Sequence, residues 1–194
     1  MTKKDDEFRA LRGTIQQRGT VRMVVVPLTF VGWAATAVAT AAVITVAVST
    51  LVPLLILVAG FESLFALHVN VERIGRYLQV FHEAEDSGWE TVALRFGERF
   101  APATPDPLFG RLFVLATSVN FLPAALGWEN LPELVVLAAL HLLFINRIRL
   151  ARAFAGTQRG KDLERFMALR EEIQSGSVIR DPASEVRESA SKPD

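Results

Sequence analysis

The chain has 194 residues, is 51% hydrophobic and carries 21 basic against 21 acidic side chains. Zero net charge argues against nucleic-acid binding, which needs a clear positive footprint. The absence of cysteine excludes disulfides, thiolate metal sites, iron–sulfur clusters and a thiol nucleophile.

The apolar residues are not spread evenly. Residues 23–71 hold one carboxylate (Glu62), one histidine (His68) and no Lys or Arg. About 20 apolar residues cross a bilayer as a helix, so this stretch fits two crossings and a tight turn. The expected fold is all-α: a polytopic membrane protein with four transmembrane helices in two hairpins, plus amphipathic cytoplasmic helices.

In chain order, residues 1–22 form a leader in which Phe8, Leu11 and Ile15 recur at helical spacing among basic residues. It reads either as a helix in the headgroup layer or as a frayed polar arm. Hairpin 1 spans residues 23–71, with helices at about 23–44 and 51–71. Ala35-Thr36-Ala37 and Ala39-Thr40-Ala41 resemble signal-peptidase sites, but the apolar run continues far beyond them, so an uncleaved span is expected. Gly32, Thr36 and Thr40 fall on one face at intervals of four, a pattern that lets helix backbones approach closely.

Ser49 or Thr50 is suited to cap the second helix, with Pro53 in its first turn. Residues 72–106 form a cytoplasmic helical loop. Within it, Ser87-x-x-Glu90 reads as a capping box. Behind the box, Trp89, Val92, Ala93, Phe96 and Phe100 make one apolar stripe, which is expected to lie on the inner membrane surface or on the protein's own helices. Hairpin 2 spans residues 107–156, with helices at about 108–126 and 131–150, a start at Asp106-Pro107 and an interfacial Trp128 in the turn. A cytoplasmic amphipathic helix at 157–174 and a disordered polar tail at 175–194 complete the chain.

The basic residues orient it. Six lie in residues 1–22, five between the second and third helices and ten from Arg147 onward, while the turns near Ser49 and Trp128 have none. Both termini and the central loop are therefore expected in the cytoplasm, in a cell's inner membrane. The second and fourth helices align at an offset of 79, with Pro53 on Pro132, Ala59 on Ala138, Phe65 on Phe144 and Arg73 on Arg152. A parallel hairpin repeat and the shared grammar of membrane helices both account for this.

Glu62 and His141 each lie nine residues beyond those prolines, about 14 Å along the helix axis. At equal depth they are expected to be able to meet, as a relay or as a structural hydrogen bond. Asn120, with Thr117 and Ser118, adds polarity to the third helix and reads as an interhelical hydrogen-bonding group. No nucleophile elbow, phosphate loop, zinc helix or nucleotide fingerprint occurs, so no catalytic or metal-binding residues are assigned. No cofactor is expected, although ligation of haem or a pigment by one histidine stays open. The expected partners are the lipid bilayer and either further copies or other membrane subunits. The leading reading is a small membrane scaffold or accessory subunit. The alternatives are an oligomeric transporter using Glu62 and His141 and, last, an enzyme at the membrane surface.

Overall fold

A computed structural model describes residues 3–43, 47–83, 88–100, 106, 108–127 and 129–175, and every described element is helical. The helices are α1 (Lys3–Val43), α2 (Leu51–Phe81), α3 (Trp89–Arg99), α4 (Gly110–Leu126) and α5 (Leu131–Ser175), with a 3₁₀ turn at Ala47–Thr50 before α2. Trp128, Ser87, Pro107, most of the linker at 101–106 and the tail from 176 lie outside the described residues.

Three helices, α1, α2 and α5, are long and apolar enough to cross a membrane; α4, at 17 residues, is apolar but shorter. The outward faces are apolar too. Leu28, Val31, Leu55, Leu115 and Leu142 are each at least 60% exposed. A helix in a soluble bundle keeps such residues on its inner stripe and charges outside.

The structure corrects two expected boundaries. The leader is neither frayed nor a separate surface helix, because α1 runs unbroken through residues 3–43. Nor is there a separate helix at 157–174, because α5 continues for 45 residues. Gly13, Gly19, Gly156 and Gly160 lower helix propensity by about 1 kcal/mol each but do not terminate a helix. Contacts with the long α2 outweigh them: Glu7 accepts a hydrogen bond from the Tyr77 hydroxyl at 2.7 Å, and Arg159 pairs with Glu72. At 1.5 Å per residue, α1 is about 61 Å long and α5 about 67 Å, twice the roughly 30 Å of a hydrocarbon core. The molecule is thus a four-helix bundle whose α1, α2 and α5 extend from one end as a stalk.

One phenylalanine from each long element meets at the bundle's centre. Phe61 of α2 lies 5.2 Å from Phe113 of α4 and 5.9 Å from Phe144 of α5, and Phe30 of α1 lies 5.0 Å from Phe113. Leu57, Leu64, Leu108 and Ile148 close around them. Two glycines permit the close crossings. A Cβ on Gly60 would stand 2.2 Å from the Thr29 side chain, and one on Gly110 would stand 2.8 Å from Arg152 Cδ. By contrast, a Cβ on Gly32 would make ordinary contact with Ile56 at 3.6 Å. Of the two glycines at the α1–α2 contact, Gly60, against Thr29, is therefore the one that needs to lack a side chain, and spacing alone did not single it out.

Overpacking of this kind costs about 1–3 kcal/mol. Gly60→Ala is expected to lower thermal stability in detergent by that amount, while Gly32→Ala is expected to be near neutral. Equal losses in melting experiments would contradict the assigned crossing point.

Candidate functional site: a buried polar knot and an ionic stalk

Asn120 sits on the inner face of α4, buried where α1, α4, α5 and the turn before α2 converge. The Trp33 indole N–H donates to Asn120 Oδ1 at 3.1 Å. The Asn120 amide nitrogen donates to the Thr50 carbonyl at 2.8 Å and to His141 Nε2 at 3.0 Å. His141 Nδ1 in turn donates to the Leu137 carbonyl at 2.8 Å. The donors fix the assignment. Because the indole can only donate, the amide oxygen must face it; because Leu137 O can only accept, the histidine proton sits on Nδ1. His141 is thus held as the neutral tautomer with both nitrogens engaged.

Glu62 stands elsewhere. Its carboxylate accepts from Arg147 at 2.7 Å, on a half-exposed surface between α2 and α5, and the Arg147 guanidinium lies 4.8 Å from the Phe65 ring centre. The expected meeting of Glu62 with His141 does not occur. The 79-residue offset that put them level is not the packing register. Cross-helix contacts run at offsets of 83 for Phe61 with Phe144, 85 for Glu62 with Arg147 and 87 for Glu72 with Arg159. His141 is consequently level with an earlier turn of α2 and faces α4.

Thr36 and Thr40 turn their hydroxyls back onto their own helix, to the carbonyls of Gly32 and Thr36. With Trp33, Ala37, Thr50 and Val119, Thr40 lines a mainly apolar cleft of about 540 Å³ between α1 and α4. Thr117 likewise bonds the Phe113 carbonyl and Ser118 that of Val114.

The second constellation lies in the stalk. Arg159 of α5 grips Glu72 of α2 with two hydrogen bonds of 2.7 and 2.8 Å. Burial alone would raise the Glu72 carboxyl, but the Arg159 hydrogen bonds and charge, with Arg76 behind them, hold it below its ordinary value. Burial pushes the Arg76 guanidinium down, against the charges of Glu72, Glu90 and Glu83. Arg76 donates to Gln79 at 2.5 Å and stands 3.5 Å from Glu90, while its buried Nε has no partner. Beside it, His68, Glu72, Arg159 and Asp162 line a cavity of about 10 Å³, room for a single water.

The Ser87 half of the expected capping box lies outside the described residues; the cap that the structure shows is Glu83. Its carboxylate accepts from the backbone N–H groups of Glu90 and Thr91 at 2.7 and 3.1 Å, seven and eight residues downstream. Glu90 is thereby freed from reaching back along its own helix. It takes Arg12 of α1 at 3.1 Å and lies over Gly75 of α2. Among the described residues, no three His, Asp or Glu side chains converge to hold a metal ion. Compared with family models, curated proteins and solved structures, the chain matches none.

Hydrogen bonds between membrane helices are worth about 0.6 kcal/mol each on average. Asn120→Leu, which breaks three, is expected to lose about 2 kcal/mol in a reversible detergent-unfolding assay. Glu62→Gln, which keeps a hydrogen-bond acceptor for Arg147 at the half-exposed α2–α5 seam, is expected to lose less. A reversed order would place the organising contact at Glu62.

The stalk should respond to acid. Since the folded state holds the Glu72 carboxyl below its ordinary value of 4.5, its contribution is complete above that value and disappears as pH falls through the lower folded value. Melting temperature is expected to fall between pH 5 and pH 3, and Glu72→Gln is expected to flatten part of that slope. An unchanged slope would show that the pair does not couple folding to protons.

Proposed function

We propose that this chain is a small integral membrane scaffold or accessory subunit that crosses the bilayer four times and presents a rigid helical stalk in the cytoplasm. The observation that carries the reading is the closure of its buried intramembrane polar groups on protein partners. Every side-chain nitrogen of Trp33, Asn120 and His141 is hydrogen-bonded, and Asn120 joins α1, α5 and the backbone at Thr50. A relay needs a group that gives and takes protons along a path. Here the neutral histidine faces an amide on one side and a carbonyl on the other, and the only acid of the span is tied to an arginine.

The charge distribution supports the orientation. Every Lys and Arg lies in residues 1–22, in residues 73–111 or from Arg147 onward, with none in the two short turns. The 17 residues of α4 cover about 26 Å, just enough for a slightly thinned crossing beside its longer partners. Stacked aromatic and ionic contacts along α1, α2 and α5 make the stalk a firm surface on which a second membrane subunit can dock. The transporter alternative loses its pair, because Glu62 and His141 face different neighbours. The surface enzyme still lacks a catalytic group.

The cysteine-free sequence makes the topology directly testable. Ser49→Cys and Glu129→Cys are expected to react with an impermeant maleimide on intact cells, whereas Lys4→Cys and Gln174→Cys should react only after permeabilisation. Mild extraction is expected to retain another membrane subunit in fixed stoichiometry. A proton or cation flux in proteoliposomes that Glu62→Gln abolishes would overturn the scaffold reading in favour of transport.

A further inference from the structure

Helix α3 turns a stripe of large apolar side chains away from the rest of the protein. Among its described side chains, polar and small groups touch the rest of the protein: Glu90 against Gly75, Arg12 and Arg76, and Gly97 beside Arg159. Trp89, Val92, Phe96 and Phe100 face away. Trp89 is 70% exposed, Val92 51%, Phe96 54% and Phe100 46%. At 100° per residue these four occupy one arc of roughly 80°. Glu90 and Gly97 lie at one edge of that arc, toward the stalk. Arg95 and Arg99 lie at the other, with the Arg99 guanidinium 5.7 Å from the Phe100 ring centre.

Such a stripe has to be covered. The position of α3 along the bundle says by what. Gly75, where Glu90 docks, lies 24 residues beyond Leu51, about 36 Å along the α2 axis. The hydrocarbon core is about 30 Å thick and the whole bilayer 40–45 Å. With Leu51 at the outer hydrocarbon boundary, α3 stands at the level of the inner headgroups. There its apolar arc continues the lipid-facing belt of the bundle, and its arginine edge meets phosphates.

We propose that α3 is an in-plane membrane helix, seated in the inner leaflet on Trp89, Val92, Phe96 and Phe100 and held against anionic headgroups by Arg95 and Arg99. This rests on the membrane-spanning reading above and adds an interaction surface to it. Aromatic and aliphatic side chains on one face with basic residues at its margin are the composition that binds anionic interfaces. The docking also gives the contact a consequence. Glu90 and Glu83 tie α3 to Arg12 and Arg76, so seating α3 fixes the angle at which the stalk leaves the membrane.

The experiment uses the full chain in phosphatidylglycerol-containing vesicles, with a nitroxide placed singly at Val92→Cys, Phe96→Cys or, as a reference within a span, Leu142→Cys. Power saturation against oxygen and against a water-soluble nickel chelate reports the surroundings of each label. Labels at Val92 and Phe96 are expected to be open to oxygen and shielded from nickel, like Leu142. Introducing Trp89→Glu should expose the Val92 label to nickel several-fold while leaving Leu142 unchanged. Nickel access at Val92 and Phe96 in the parent chain, with Leu142 still shielded, would overturn the seating of α3 and leave the spanning topology standing. Shielding of both labels from both reagents would also overturn it, pointing to protein cover. Nickel access at Leu142 would overturn the spanning reading and this inference with it.

Discussion

The packing of four helices around Asn120 is the constraint from which the rest of the bundle follows. A side-chain amide buried among helices has no water to turn to, so its donors and acceptor must find protein partners or remain a standing penalty. Asn120 finds them on three other segments: an indole on α1, a carbonyl where the chain enters α2 and an imidazole on α5. Each partner is itself particular about geometry. The indole has one proton to give, and the imidazole offers its lone pair only because Leu137 takes its proton. Apolar side chains could slide by a turn and still bury much the same area. This set cannot, and in fixing the helices' register it also fixes where their phenylalanines meet.

From that register the stalk inherits its ion pairs. Fully exposed pairs contribute little to stability, with a median near zero to 1 kcal/mol; here the acids are buried or half-buried and their arginines lie nearer the surface. The value of these pairs is discrimination. Glu72 meets Arg159, Asp162 stands near Arg73 and Arg165, and Glu90 meets Arg12, each joining or bracing elements that α1, α2 and α5 carry rigidly out of the bundle. A one-turn slip would set like charges opposite one another. Arg76 is the exception that carries real energetic weight. Its guanidinium is buried, and removing Glu90 would leave that charge facing only more distant carboxylates.

The sequence showed the helical class and the apolar extents plainly, because hydrocarbon imposes a length and composition that few other environments demand. Leu51 and Leu131 were legible as helix starts for the same reason. The continuity of α1 and α5 was not. Gly13, Gly19, Gly156 and Gly160 look like stops, and only partners on α2 explain why the helices run through them. Asn120 was legible as an interhelical group, yet not its partners, since no periodicity links Trp33, Thr50 and His141. The Glu83 cap was hidden in the same way: a carboxylate seven residues before the N–H it serves lies outside any local capping rule. Likewise, Gly60 against Thr29 is one small residue meeting one medium one, without the repeated spacing that marks a packing motif.

On the membrane-spanning reading, the Glu62–Arg147 pair shows how a charge is tolerated within a bilayer. A lone carboxylate there would have to take up a proton, and a lone arginine would have to reach for the interface. Helix geometry supplies a third course. Side chains on a helix lean toward its N-terminus, so Arg147 on α5 reaches back along the bundle toward Glu62, while Phe65 offers its ring face to the guanidinium. The pair is neutral as a whole and lies along the α2–α5 seam. Because it depends on the two helices being offset by 85 residues, it forms only in the register that the buried amide has already set. The two polar features of the bundle are therefore ordered: Asn120 selects the packing from within, and Glu62 with Arg147 seals the outer seam that this packing creates.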